Sequence, residues 1–160
     1  MNSVIIIAVI ITLVGSALIA GVFFAFSSFI MKALARLPSK EGMAAMQSIN
    51  VVVINPLFLG VFMGTAVMSL LIVIISIMKW ELLSAPYFLS GALLYIAGTF
   101  LVTGMGNVPL NNQLAAIAVT DDMAEGFWQH YLEQWTWLNT LRTICAVAAT
   151  VVLIIGLVKY

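Results

Sequence analysis

Five residues in the last third of the sequence carry side chains that could bind and polarise a flat aromatic molecule. They are Trp128, Tyr131, Trp135, Asn139 and Arg142, separated by three, four, four and three positions. At about 100° per residue, this spacing places all five on one narrow helix face, here called the stripe, if the helix begins before the membrane. Indole and phenol rings can stack on a flat ring, and a guanidinium can hold a developing negative charge. An interfacial aromatic belt that continues into a packing face is the alternative.

Arg142 is the most unusual member of the stripe because it lies inside an apolar segment. It is seven residues into the segment 135–158, which is about 10 Å along a helix. A charge at that depth costs a few kcal/mol unless it finds a partner or extends to the interface. No acidic residue lies in any apolar segment. The partner must then be a polar side chain, a backbone carbonyl, a carboxylate from a connection or a ligand. Extension of the arginine to the interface is equally compatible with the sequence.

Other polar residues gather at the ends of the predicted helices, on the same side as the stripe. They are Ser27, Ser28, Gln47, Asn50, Asn55, Asn107, Asn111 and Asn112. Asn55 precedes a proline and is typical of a helix N-cap, although a kink in a longer helix gives the same pair. The run at 107–112, Asn-Val-Pro-Leu-Asn-Asn, predicts a turn that stops the third helix. Their accumulation at one end of the molecule favours a polar pocket between helices.

Histidine and cysteine occur once each. His130 lies on the face opposite the stripe, so we expect a solvent-exposed side chain. Cys145 can form neither an intramolecular disulfide nor a thiolate cluster. Neither residue has a recognisable metal-ligand spacing. We therefore expect no metal ion and no other cofactor.

The elements that must position these residues are membrane helices. The chain is 64% hydrophobic and 8% charged, whereas a soluble domain has roughly 25% charged residues. Its mean hydropathy is +1.19. Because so few charged residues cannot cover a surface that faces water, lipid must be the solvent for much of the chain. The net charge of zero and the lack of a basic run give no indication of nucleic-acid binding.

Four segments are long enough to cross about 30 Å of hydrocarbon as helices. They are approximately residues 4–31, 55–78, 85–105 and 135–158. Residues 1–31 contain no charge, which favours a full span over a signal peptide. No segment alternates with a period of two, and four strands could not close a barrel. The prediction is an all-α membrane protein, with residues 1–160 forming a single four-transmembrane-helix bundle.

The three connections differ in length and charge. Residues 79–84 form a short hairpin, and residues 32–54 are helical in their second half. Residues 107–134 are the longest connection, and its acidic residues are Asp121, Asp122, Glu125 and Glu133. With four spans, both long polar connections emerge on one side, and the hairpin and both termini lie on the other.

The orientation follows from the distribution of basic residues. The long connections carry Lys32, Arg36 and Lys40, and the opposite side carries Lys79 and Lys159. Three cations against two predict cytoplasmic long connections, with the termini on the opposite side of a plasma (inner) membrane.

Small residues recur every fourth position in two of the predicted spans. Gly60 and Gly64 lie in the second, and Ala17, Gly21 and Ala25 lie in the first. Such spacing lets helix backbones approach closely, although glycine is also common in membrane helices for other reasons.

Three short motifs carry a resemblance to a known family. They are the run at 107–112, the pattern Trp135…Asn139-Thr-Leu-Arg142, and a first connection with Met-Gln-Ser-Ile-Asn at 46–50 before Asn55-Pro56. Together they resemble a widespread four-span family that includes the anthrone oxygenases of polyketide pathways. The resemblance covers essentially the whole chain.

The resemblance implies an oxygenase that uses no metal, flavin or haem. Anthrone-type substrates ionise to an electron-rich enolate that reacts with O₂ directly, so the enzyme must remove a proton and stabilise the anion. By this resemblance the catalytic residues are Arg142, Asn139 and Trp135. The substrate-binding residues are Trp128, Tyr131, Asn107, Asn111, Asn50 and Asn55. The base is left unassigned, because His130 lies on the wrong face.

A second interpretation is a non-catalytic membrane protein that binds a small ligand or acts as a structural partner. The stripe would then only pack helices. A transporter is disfavoured, because four spans leave little room for alternating access and no inverted repeat is visible. The expected partners are the lipid bilayer and a small aromatic ligand, with no nucleic acid and with a homo-oligomer left open.

Overall fold

The computed structural model describes residues 3–118 and 124–160, and its regular structure is entirely helical. Within these ranges, four helices are long and apolar enough to cross a membrane: Ser3–Leu34, Pro56–Met78, Ala85–Ala116 and Ala124–Lys159. We call them the first, second, third and fourth long helices. A shorter connecting helix, Ser39–Val52, lies between the first two. The predicted all-α membrane fold is confirmed, while Asp121 and Asp122 lie outside the described residues.

Each long helix packs against two others. The first and third helices both contact the second and the fourth. Val9, Ile72 and Leu153 belong to an apolar cluster towards the termini and the hairpin. Phe23 and Phe62 belong to a cluster further along the bundle. Because lipid is as apolar as these side chains, close packing and hydrogen bonds between helices must stabilise the arrangement, rather than burial from water.

The connecting helix packs against the ends of the third and fourth helices at one end of the bundle, here called the connection end. Met43 and Met46 of the connecting helix share a buried cluster with Leu114 and Trp128. The Gln47 side chain donates a hydrogen bond of 2.8 Å to the carbonyl of Leu114. These contacts hold the connecting helix against the ends of the third and fourth helices.

Asn55 is the N-cap of the second helix. Its Oδ1 accepts a hydrogen bond of 3.0 Å from the backbone N–H of Phe58, and the connecting helix has already ended at Val52. The N-cap interpretation is therefore confirmed, and the alternative of one kinked helix is wrong.

The predicted turn at 107–112 is wrong, because the third helix continues through it to Ala116. Val108 has φ −63° and ψ −46°, which is helical despite the proline that follows. The preceding residues, Thr103–Asn107, form a π-helical segment. Its wider turn relieves the clash that the proline ring would make with the carbonyl four residues earlier. Two other long helices also extend beyond their predicted bounds: the first continues to Leu34 and the fourth begins at Ala124. The second, Pro56–Met78, agrees with its predicted bounds.

The glycines that recur at four-residue spacing do not lie at close helix contacts, so that expectation is wrong for them. A Cβ atom added at Gly21, Gly60 or Gly64 would meet no described atom within 4 Å. The close approaches occur elsewhere. A Cβ at Gly15 would overlap Thr65, and a Cβ at Gly98 would overlap Cys145. The glycines of the four-residue pattern therefore face open space, whereas the glycines at close contacts have no common spacing.

Candidate functional site

The stripe is buried along its whole length. Trp128, Tyr131, Trp135, Asn139 and Arg142 are each at most 5% exposed. The fourth helix is continuous from Ala124 to Lys159, so the stripe begins before the predicted span, as its spacing required. The prediction of one shared helix face is confirmed.

Arg142 is held in the interior by neutral groups. Its Nη1 donates to Thr103 Oγ1 at 3.0 Å, and its Nη2 donates to Asn139 Oδ1 at 2.7 Å. The guanidinium carbon lies 4.0 Å from the ring centroid of Phe23 and 5.3 Å from that of Trp135. The arginine is only 3% exposed. The interpretation in which it extends to the interface is therefore wrong.

No carboxylate of the described residues forms an ion pair with Arg142. Its Nε is buried and has no hydrogen-bond partner in that part of the chain. Hydrogen bonds from neutral oxygens and the faces of aromatic rings reduce the cost of burying the charge, but they do not neutralise it. The result is a positively charged site in a mostly apolar bundle, with an Nε donor that no described atom uses.

Asn139 positions the guanidinium. Its amide Nδ2 donates to the carbonyl of Phe23 and to Ser27 Oγ, both at 2.7 Å. These two bonds fix the amide against the first helix and orient its Oδ1 towards Arg142. Asn139 therefore connects the arginine to the first helix, while Thr103 connects it to the third.

Asn111 joins two aromatic side chains of the stripe. Its Oδ1 accepts hydrogen bonds of 2.8 Å from the hydroxyl of Tyr131 and from Nε1 of Trp135. Asn50 of the connecting helix donates to the same hydroxyl at 3.5 Å. One network thus brings together Asn50, Asn111, Tyr131 and Trp135.

The aromatic rings of the stripe stack on one another. The ring centroids of Trp128 and Tyr131 lie 5.6 Å apart at an interplanar angle of 14°. Tyr131 and Trp135 follow at 6.3 Å and 26°, and Phe26 packs on Trp135 at 5.4 Å. A ligand that stacks on these rings must therefore separate them or use their outer edges.

The remaining two candidate asparagines occupy different positions. Asn107 is buried, donates to the carbonyl of Trp135 at 3.2 Å, and has an Oδ1 with no partner among the described atoms. Asn55 makes the helix cap, and its Nδ2 donates locally to the carbonyl of Val52. Asn107 is thus part of the polar interior, and no hydrogen bond described here joins Asn55 to it.

Three π-helical segments converge on the stripe. They are Phe26–Ile30, Ile96–Leu101 and Thr103–Asn107. Each supplies a polar side chain to the fourth helix: Ser27 accepts from Asn139, Thr99 donates to the carbonyl of Arg142, and Thr103 accepts from Arg142. π-Helical turns are rare and often occur at functional sites, because they re-aim side chains within a helix.

Sequence reasoning missed Phe23, Thr99 and Thr103. Thr99 and Thr103 are one turn apart on the third helix. A pair of hydroxyls at this spacing in a neighbouring span is a signal for the partners of an arginine that has no acidic partner. Phe23 gave no signal, because one phenylalanine in an apolar span resembles any other.

A groove lies outside the stripe, between the first and fourth helices. It has a volume of about 950 Å³. The first helix contributes Ser27 and Lys32 to its lining, and the fourth contributes His130 and Thr140. His130 is exposed, as predicted. Among the residues that the structure describes, no three His, Cys, Asp or Glu side chains are grouped as a metal-ion site.

Comparison with known proteins identifies a family to which the chain is similar. The sequence model of a family described as anthrone oxygenase matches residues 56–152. This range covers the second and third helices and the complete stripe, whereas Asn50 and Asn55 precede it. No curated protein and no solved structure matches the chain.

Proposed function

Because the chain belongs to the anthrone oxygenase family, we propose that it catalyses the O₂-dependent oxygenation of a flat phenolic or polyketide-like aromatic molecule, without a cofactor. The observation that carries the proposal is Arg142, a buried guanidinium with neutral partners and an unused Nε donor. Such a group stabilises an anion that forms during a reaction.

The reaction begins with a ring CH₂ group that is conjugated to a carbonyl. Loss of a proton gives an enolate, and Arg142 stabilises the negative charge on its oxygen. The enolate carbon then forms a bond to O₂, giving a peroxide. Loss of water from the peroxide carbon leaves a new carbonyl. One oxygen atom enters the product and the other leaves as water, so the substrate supplies all the electrons.

The other residues of the site support this arginine. Asn139 holds the guanidinium in place, and Trp135 contributes its ring face beside it. We assign substrate contacts to Trp128 and Tyr131, whose buried rings must part to admit the substrate, and to the Oδ1 of Asn107, which has no partner among the described atoms. Asn111 and Asn50 orient these groups. We assign Asn55 to helix capping.

The test of this proposal is oxygen uptake by the purified protein in lipid nanodiscs with dithranol, a dihydroxyanthrone. We expect one O₂ to be consumed for each molecule of danthron, the corresponding anthraquinone, that forms. With oxygen-18 gas, one labelled atom should appear in the product. Dithranol oxidises slowly without enzyme, so nanodiscs without protein are the control. An uptake rate equal to that of empty nanodiscs contradicts the proposal.

A non-catalytic role is the second candidate, and one observation favours it. The amides of Asn111 and Asn139 already have internal partners. Such a network can join helices without any ligand, because interhelical hydrogen bonds stabilise membrane bundles. The two candidates make opposite predictions for the stability of Arg142 variants.

The orientation forms part of the proposal. We place the long connections in the cytoplasm and the termini on the other side of a plasma (inner) membrane. The support is the excess of Lys32, Arg36 and Lys40 over Lys79 and Lys159.

A further inference from the structure

The groove between the first and fourth helices changes in polarity along its length. Lys32, His130 and Glu133 line it towards the connection end. Trp137 and Ile144 line it further along the fourth helix, where the surrounding surface is apolar. A groove that is charged at the membrane boundary and apolar deeper in fits an amphipathic molecule that is dissolved in the membrane.

A chain of hydrogen bonds connects this groove to the buried arginine. Ser27 and Thr140 line the groove, and their hydroxyl oxygens are 3.0 Å apart. Ser27 Oγ also accepts from Asn139 at 2.7 Å. Asn139 Oδ1 in turn accepts from Arg142 at 2.7 Å. Only two side chains therefore separate Thr140 from the guanidinium.

The direction of these bonds determines which ligands the groove favours. Thr140 donates its single hydroxyl hydrogen to the carbonyl of Thr136 at 2.9 Å. In the Ser27–Thr140 contact, Thr140 must then be the acceptor and Ser27 the donor. Every bond from Arg142 to Thr140 therefore donates towards the groove. The donor that a ligand could use is the Ser27 hydroxyl, whose hydrogen is polarised by the positive charge and is bonded to Thr140. An anionic oxygen that replaces Thr140 as its acceptor is favoured, and a cation is disfavoured.

We propose that this groove is the site where the protein binds a flat, lipophilic weak acid taken from the membrane. The ionised oxygen of the ligand accepts the Ser27 hydroxyl hydrogen in place of Thr140, and its rings lie against the apolar end near Trp137. This inference rests on the proposed function for the identity of the ligand. It adds an entry site on the surface of the bundle, outside the stripe, where the ligand binds before it reaches Arg142.

A phospholipid is the competing occupant. Its phosphate would pair with Lys32 at the charged end, and it would leave the Ser27–Thr140 bond intact. The flat acid is favoured because Ser27 and Thr140 lie between the charged end of the groove and its apolar end, away from Lys32.

The test is a titration with danthron, which does not react with O₂, in phosphatidylcholine nanodiscs. We expect saturable quenching of tryptophan fluorescence in the wild type. A ring placed in the groove by Thr140→Phe should weaken binding by about tenfold or more, as a misfit in a ligand pocket does. Ala35→Phe on the opposite wall should act in the same way, which covers the case in which one variant folds poorly. Val147→Phe, on the same helix but outside the groove lining, should bind like the wild type.

A second measurement addresses the ionised oxygen. Ser27→Ala should reduce the preference for danthron over its dimethyl ether, because the ether cannot ionise. Ser28→Ala is the control, since the Ser28 hydroxyl is bonded to the carbonyl of Phe24 in its own helix. An unchanged preference in Ser27→Ala overturns the assignment of that hydroxyl.

The groove and the proposed reaction fail in different ways. If the wild type consumes oxygen with dithranol and both Thr140→Phe and Ala35→Phe bind and react normally, the groove is not the binding site, although the proposed reaction stands. Binding that these variants abolish, without any oxygen uptake, supports the groove and contradicts the reaction. The inference is also overturned if phospholipid co-purifies with the wild type, is lost from Thr140→Phe, and is not displaced by danthron.

Discussion

At the scale of single residues, the buried polar groups are of two kinds. Asn111 has an acceptor that satisfies two donors, so its removal leaves Tyr131 and Trp135 unpaired. Arg142 has donors in excess of its partners and a charge without a counter-ion among the described residues. The first arrangement stabilises the bundle, and the second is costly unless an anion uses it.

The stability of Arg142→Leu should therefore differ little from that of the wild type. Removal of the Arg142 side chain eliminates an unneutralised buried charge. This gain offsets the roughly 1–3 kcal/mol of stability lost by leaving Asn139 Oδ1 unpaired. Melting curves in detergent measure the difference. A fall in melting temperature as large as that of Asn111→Leu would favour the non-catalytic interpretation.

Asn111→Leu should be strongly destabilised. It leaves the Tyr131 hydroxyl and the Trp135 indole N–H buried without their shared acceptor, at about 1–3 kcal/mol for each group. The matched control is Asn112→Leu, because Asn112 is the adjacent exposed amide. Equal melting temperatures for the two variants would show that the Asn111 network contributes nothing to stability.

At the scale of helices, the third helix shows how a tertiary contact overrides a local signal. The sequence Asn-Val-Pro-Leu-Asn-Asn favours a turn, yet the π-helical segment before it accommodates the proline and keeps the chain helical. The continued helix places Asn107 and Asn111 against the stripe. Neither π-helical turns nor the partners of a buried amide can be predicted from one sequence, because both depend on neighbouring helices.

Deletion of Gly104 tests the role of the π-helical segment Thr103–Asn107. Removing one residue returns the segment to α-helical spacing, which restores the clash between the Pro109 ring and the carbonyl four residues earlier and narrows the turn that aims Thr103 at Arg142. We therefore expect a lower melting temperature and a loss of oxygen uptake. Gly104→Ala should have little effect, since its Cβ would meet no described atom within 4 Å. A stable, active deletion variant would contradict this role.

Glycine substitutions test the packing of the helices. Gly98→Ala should destabilise the bundle, because its Cβ would overlap Cys145 and force the third and fourth helices apart. Overpacking of this kind typically costs about 1–3 kcal/mol. Gly64→Ala faces open space and should leave the melting temperature unchanged. The reverse order of stability would mean that these helices pack differently.

At the scale of the whole molecule, composition and the four apolar segments were sufficient to predict the membrane fold. The periodicity of the stripe also predicted that its residues share a buried face. The sequence could not show that the guanidinium lies on Phe23, nor that the stripe rings stack on each other. The contact of Arg142 with Phe23 joins residues more than a hundred positions apart, and apolar spans offer many equivalent candidates. The stacking of neighbouring rings depends on side-chain rotamers that the surrounding helices determine.

Cysteine labelling of intact cells tests the arrangement across the membrane, starting from Cys145→Ser. Lys40→Cys lies in the connecting helix, Gln113→Cys lies at the connection end of the third helix, and Glu81→Cys lies in the hairpin. We expect a membrane-impermeant reagent to label Glu81→Cys from outside and to leave the other two unlabelled until the cells are opened. Labelling of Lys40→Cys and Gln113→Cys from opposite sides would contradict the four-span arrangement.

Oxygen uptake with dithranol by the wild type, Arg142→Leu and Arg142→Lys is the most direct test of the proposed reaction. Loss of a group that stabilises an oxyanion lowers the rate by about 10²–10³, so Arg142→Leu should fall to near the rate of empty nanodiscs. Arg142→Lys should recover only part of the activity, because lysine lacks the planar fork that reaches Thr103 and Asn139 together. A folded Arg142→Leu variant that oxidises dithranol as fast as the wild type would contradict a catalytic role for this arginine.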